Sequence, residues 1–193
     1  LTDDSVYEGN ETIILTVNTA SSVGSFNISN TPTINIIENE SAPTVTLATS
    51  ATSIAEDAGS SLTLTATSSI VADEDITVSI ATSGTGTEGT DYNTISDITI
   101  SAGATTGTAS FTPINDTVFE ANETAIVSIS SVSGADATES GVQAETITIV
   151  KDADAAPTVT LATSATSIAE NAGSSLTLTA TLSNATNEDV TVG

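Results

Sequence analysis

Residues 43–67 read PTVTLATSATSIAEDAGSSLTLTAT, and residues 157–181 read PTVTLATSATSIAENAGSSLTLTAT. The runs differ only at Asp57 and Asn171 and lie 114 positions apart. A carboxylate-rich stretch repeats as well: Asp116, Glu120, Glu123 and Thr124 recur 112 positions earlier as Asp4, Glu8, Glu11 and Thr12. Small length changes in the loops account for the two offsets. A period of about 113 residues is the size of a whole domain rather than a solenoid turn. Any fold must therefore close on itself within one period and stack in tandem. The spacing predicts the C-terminal part of one repeat at 1–40, a complete repeat at 41–154, and the N-terminal part of a third at 155–193. Near-identity reads as recent tandem duplication, with further units expected on both sides. The absence of Met reads as an internal piece of a longer protein.

Within the complete repeat, apolar and small polar residues alternate with period two. Thr44 to Ala48 and, after a kink, Ser53 to Glu56 make a first strand. Leu62–Thr67, Ile76–Ile80, Ile95–Ser101, Gly107–Ile114, Ala125–Val132 and Thr146–Val150 supply six more. Glycines and acidic loops separate them. Val, Ile, Thr and Ser favour strands over helices. The expected fold is all-β, a seven-stranded antiparallel immunoglobulin-like β-sandwich. Phe111 and Phe119 join its aliphatic core, and Tyr92 packs in the core or at its rim. The linkers Glu40-Ser41-Ala42-Pro43 and Asp154-Ala155-Ala156-Pro157 are short, and proline keeps them extended. They predict a rod.

Charge then limits function. One base, Lys151, faces 25 acids, for a net charge of −24. Phosphate contacts need Lys and Arg, so nucleic acid is excluded as a partner. An anionic membrane surface is disfavoured for the same reason, and no apolar run is long enough to insert. Without His or Cys there is no thiolate, no imidazole base and no usual zinc site. An enzyme is not expected.

The acids avoid the strands: residues 43–55, 60–72, 76–87, 98–115 and 124–135 contain none. In an antiparallel domain, successive connections alternate between two poles. Glu56, then Glu88 and Asp91, then Asp116 and Glu120, then Asp152 and Asp154 all fall at the pole facing the next repeat. So many carboxylates in one place repel one another, and bound cations are the plausible relief. Hard oxygen ligands in flexible loops favour Ca²⁺. Glu123 heads a strand and reads as structural. Asp73-Glu74-Asp75, at the opposite pole and facing the preceding repeat, reads as a solvated charge run, with completion of a site at the joint as the alternative.

In combination, four stretches resemble the Calx-β domain: Ile54 to Gly59, Thr82 to Tyr92, Asn115 to Thr124, and Ile147 to Val150 followed by Asp152 and Asp154. The family occurs in sodium/calcium exchangers, integrin tails and large bacterial surface proteins. The resemblance implies a seven-stranded sandwich binding several Ca²⁺ ions at its distal loops. The ligands it implies are Glu56, Asp91, Asp116, Glu120, Asp152 and Asp154. The corresponding positions are Asp4, Glu8, Glu38 and Glu40 in the leading unit and Glu170 in the trailing one. The chain departs from the ligand-rich pattern: Asn115-Asp116-Thr117 keeps one Asp, and Ala153 interrupts the last acidic run. Fewer or weaker sites are therefore expected, with only the middle one complete. The expected role is a calcium-rigidified segment of a secreted bacterial adhesin stalk or surface fibre. Its partners would be neighbouring repeats and other copies in a fibre. A calcium-sensing or ligand-binding module is the alternative.

Overall fold

The computed structural model describes residues 3–16, 31–171 and 173–193. Alternation in sequence becomes alternation in burial: along Thr44–Thr49, Val45 and Leu47 are buried while Thr44 and Thr46 face solvent, as in a strand with one face on a core. In chain order the strands are β1 (Val6–Tyr7), β2 (Glu11–Ile14), β3 (Thr33–Ile36), β4 (Thr44–Thr49), β5 (Ser53–Ala55), β6 (Leu62–Ser68), β7 (Val71–Ala72) and β8 (Ile76–Gly84). They continue as β9 (Ile98–Ile100), β10 (Thr106–Phe111), β11 (Glu123–Ser133), β12 (Thr138–Glu139), β13 (Ala144–Val150), β14 (Val159–Thr163) and β15 (Leu178–Leu182). No helix occurs among the described residues.

Residues 44–150 build two sheets, ordered β10–β6–β4–β12 and β5–β13–β11–β8–β9. One core joins them: Val45, Leu64 and Phe111 from the first, Ile76, Val127 and Ile147 from the second. Tyr92 is buried and stacks on Phe111, ring centroids 5.0 Å apart. Each expected strand overlaps an observed one, but the sandwich holds nine strand segments rather than seven. The first expected strand changes sheets at its kink. Ser50 N still bonds Thr63 O, closing the β4–β6 ladder, and Thr52 O accepts from Thr148 N, opening β5–β13. The short β12 adds the other segment. Nor is the pairing wholly antiparallel: β5 runs parallel to β13, and β12 parallel to β4.

That parallel pair positions the acids. Because β5 and β13 point the same way, Glu56 and Asp152 leave from one end. β11 runs against β13, so its first residue, Glu123, lies opposite Ile149 at that same end. β8 finishes there too, with Gly84 opposite Ala125. Gly84 has φ +125°, and a Cβ built on it would sit 2.1 Å from Thr124 O. Only glycine permits this approach, which presses the loop after β8 onto the start of β11.

The flanking segments form the antiparallel pairs β2–β3 and β14–β15. The leading one docks on the opposite pole of the sandwich. There β1 pairs in parallel with β7, Tyr7 is buried, and its hydroxyl donates to Asp136 Oδ2 at 2.8 Å.

Candidate metal centre

Asp91 is held by its neighbours on both sides. Ile114 N donates to Asp91 O and Asn93 N to Thr112 O, both at 2.9 Å, which stitches this loop to the chain leading to Asp116. Tyr92, buried beside Phe111, anchors it from below. Asp91 Oδ2 accepts from Thr87 N at 2.5 Å, so the side chain closes its own Gly-rich loop. Glu56 N donates to Val150 O, fixing Glu56 against the end of β13, and Glu56 Oε1 accepts from Asp116 N at 3.3 Å. Asp116 Oδ1 accepts from Val118 N at 2.6 Å, and Asp152 Oδ1 from Asp154 N at 2.8 Å. These local turns give each acidic loop a defined shape. Asn122 Oδ1 accepts from Lys151 N at 3.1 Å, just as Asn10 Oδ1 accepts from Glu38 N at 2.9 Å. In both copies an asparagine therefore holds the chain at the last acidic run, at Glu38 itself in the leading one and at Lys151, just before Asp152, in the middle one.

Oxygens of Asp91, Glu120 and Glu123 lie within 4.8 Å of one another. At that separation each pair of charges repels by about 1 kcal/mol in bulk water and by about 3–4 kcal/mol in a partly buried setting. Asp91 and Glu56 are themselves buried. Burial, then the charges of Asp91, Glu56, Asp116 and Asp152, push Glu120 up to about 7. Burial and Asp91, then Glu120 and Glu56, push Glu123 up to about 7 as well. Burial also raises Glu56, with Asp152, Asp116 and Asp154 adding to the effect. Asp154 is raised by burial and by Asp152 and Asp116. The chain's one base lies over the Phe119 ring, its Nζ 5.0 Å from the centroid.

Two oxygens here, Glu123 Oε2 and Asp154 Oδ2, are buried without a hydrogen-bond partner. An unpartnered buried carboxylate oxygen is costly. Glu123 lies with Asp91 and Glu120, and Asp154 near Asp152 and Asp116, and carboxylate oxygens gathered in this way are the ligands a hard divalent cation takes.

All six acids expected in the middle repeat, Glu56, Asp91, Asp116, Glu120, Asp152 and Asp154, meet at this pole, linked by direct bonds or by their mutual charge. Glu123 heads β11, as its sequence position implies, and also stands with Asp91 and Glu120. It bonds no loop backbone: Oε1 accepts from Asn187 Nδ2 at 3.3 Å and Oε2 is without a partner. Its recurrence as Glu11 was the available signal. Glu88 is turned aside and accepts from Thr82 Oγ1 at 2.7 Å.

The leading segment gathers Asp4, Glu8, Glu38 and Glu40 around a hollow of about 350 Å³. Glu38 works differently from a free ligand. Its Oε2 accepts from Glu8 N and Gly9 N, and its Oε1 from Asn39 N and Glu40 N. Donation from Glu40 and Glu8 backbone holds its carboxyl at about 2. Glu170 is exposed and is not brought to either cluster. Asp73-Glu74-Asp75 is exposed, as a solvated run is, and two of its carboxylates also take up backbone donors: Glu74 Oε2 accepts from Ala135 N and Asp75 Oδ1 from Ala102 N.

Residues 38–154, more than half of the chain, match the Calx-beta domain. The chain belongs to the Calx-beta family. No curated protein matches it. Among solved structures it is similar to the apo-form Calx CBD1 domain, at 17% identity over 56% of this chain and 98% of that one, TM-score 0.47. It is also similar to CBD12 from CALX1.2, at 18% identity over 52% of this chain and 41% of that one, TM-score 0.45. The all-β sandwich and the acidic pole thus sit in a Calx-beta domain, a calcium-binding type of module.

Proposed function

We infer that the carboxylate pole of residues 44–154 holds Ca²⁺ and that the ion stiffens the chain as part of an extracellular adhesin stalk or surface fibre. The observation that carries the calcium reading is the gathering of Asp91, Glu120 and Glu123 with Glu123 Oε2 buried and unpartnered; Asp154 Oδ2, likewise buried and unpartnered, adds to it beside Asp152 and Asp116. Asp91, Glu120 and Glu123 would supply the innermost oxygens, with Glu56, Asp116, Asp152 and Asp154 around them. Bound Ca²⁺ supplies charge compensation. Because the ligands come from four separate loops, binding free energy becomes folding and stiffening free energy. Extracellular calcium is abundant enough for weak, millimolar sites.

The stalk reading is supported by near-identical units at a fixed offset and by proline-stiffened linkers. Its partners are then adjacent repeats and other copies, and no catalysis is called for. A second reading, a calcium-sensing module, is favoured by Asn187 touching the cluster from the trailing segment, since occupancy there bears on the neighbouring segment. Calorimetric titration of the chain with Ca²⁺ tests binding, and absence of binding heat would sink both readings. Small-angle scattering separates them. A stalk keeps one extended form at all physiological extracellular calcium levels, whereas a sensor changes shape within that range.

A further inference from the structure

Contacts at the two ends of the sandwich follow one scheme. At the leading end, Val6 and Tyr7 pair in parallel with Val71 and Ala72, and Asp73 N donates to Tyr7 O at 3.1 Å. At the trailing end, Phe119 bridges Thr186 in parallel, and Phe119 N donates to Ala185 O at 3.0 Å. Phe119 is the counterpart of Tyr7 at the 112-residue offset, and Thr186 that of Ala72 at the 114-residue offset. The same register therefore recurs: Tyr7 on Ala72, Phe119 on Thr186. The residue just past the trailing bridge, Asn187, reaches the acidic cluster of the preceding segment: its Nδ2 donates to Glu123 Oε1 at 3.3 Å. Glu123 stands with Asp91 and Glu120, and its Oε2 is buried without a partner. The counterpart at the leading end, Asp73, is exposed and lines no part of the leading hollow.

We propose that the cation site of residues 44–154 is completed across the joint, by Asn187 of the following segment. Asn187 is a positioning residue: it takes one oxygen of Glu123 and so aims the other at the cation.

The inference rests on the calcium reading, and the test keeps the two apart. The whole 193-residue chain and its Asn187→Ala and Asn187→Asp variants are titrated with Ca²⁺ by calorimetry. Loss of a hydrogen bond that orients a ligand weakens metal affinity by roughly tenfold or more, and that is the change expected for Asn187→Ala. Asn187→Asp regains affinity through its added charge while melting lower in chelator. If the parent chain binds and Asn187→Ala binds with the same Kd, the shared site is wrong although the calcium reading stands. If the parent does not bind, the calcium reading itself fails and takes the inference with it. A merely structural Asn187 would lower the melting temperature equally with calcium and with chelator and leave Kd unchanged, which also overturns the proposal.

Discussion

Glu123 shows how one side chain is pulled two ways. Its backbone opens β11 opposite Ile149, a position any strand former could take. Its carboxylate is forced among other carboxylates and is pushed up to about 7, first by burial and then by Asp91. Glu123→Gln should therefore raise the melting temperature in chelator, by removing repulsion, and shrink the further rise that calcium produces. Calorimetry in both buffers measures the crossover; a variant that melts lower in chelator would refute the account. The pH dependence has a definite sign. Glu120 and Glu123 titrate near 7 in the folded chain, above the ordinary 4.5. The folded state thus binds more protons across that interval, and stability falls as pH rises through about 7. In chelator the melting temperature should drop between pH 5 and pH 8. With saturating calcium the trend should reverse, because ionised ligands are what the cation needs. A melting temperature independent of pH in chelator would remove the electrostatic argument.

At the level of elements, the site depends on where strands end. β5 runs parallel to β13, so two acidic stretches far apart in sequence exit side by side. β8 must close tightly on β11 for the Asp91 loop to reach them, and Gly84 is the contact that allows it. Gly84→Ala combines an unfavourable backbone angle with a clash against Thr124 O. It should cost more than about 2 kcal/mol in denaturant unfolding and weaken calcium binding with it. Gly59→Ala is the control: at φ +60° its Cβ meets nothing within 4 Å, so only the backbone cost of about 1 kcal/mol is expected. Equal effects of the two would mean that close approach at Gly84 does not matter.

For the whole molecule, charge outweighs every other consideration. A chain at −24 with one base is held together against its own repulsion. Chelator should lower its melting temperature and make its scattering profile less extended, and monovalent salt should recover part of the loss in chelator by screening. If chelator leaves both unchanged, the acids are a solvated surface and the stalk reading falls. Calcium at one hundred times Kd would stabilise a one-site chain by about 2.7 kcal/mol, a shift that thermal unfolding resolves easily.

Much of this was legible from residues alone. Period-two alternation determined strands, because a strand with one buried face admits only that pattern. Strand parity placed Glu56, Asp91, Asp116, Glu120, Asp152 and Asp154 at one pole, since reversing chains must alternate ends. Composition excluded imidazole and thiolate chemistry outright. Only tertiary structure decided the rest. That the first strand would change sheets depends on which ladder offers partners to Ser50 and Thr52, a long-range matter. Glu123 joined the cluster because β11 begins at its edge, whereas local sequence showed only an acid heading a strand. Glu38 is taken up by four backbone donors that its spacing does not reveal. The reach of Asn187 into the neighbouring cluster follows from a parallel bridge between segments. Sequence patterns report what each residue prefers next to its near neighbours; which distant loops share a pole, and which oxygens are left unpartnered there, is settled by packing.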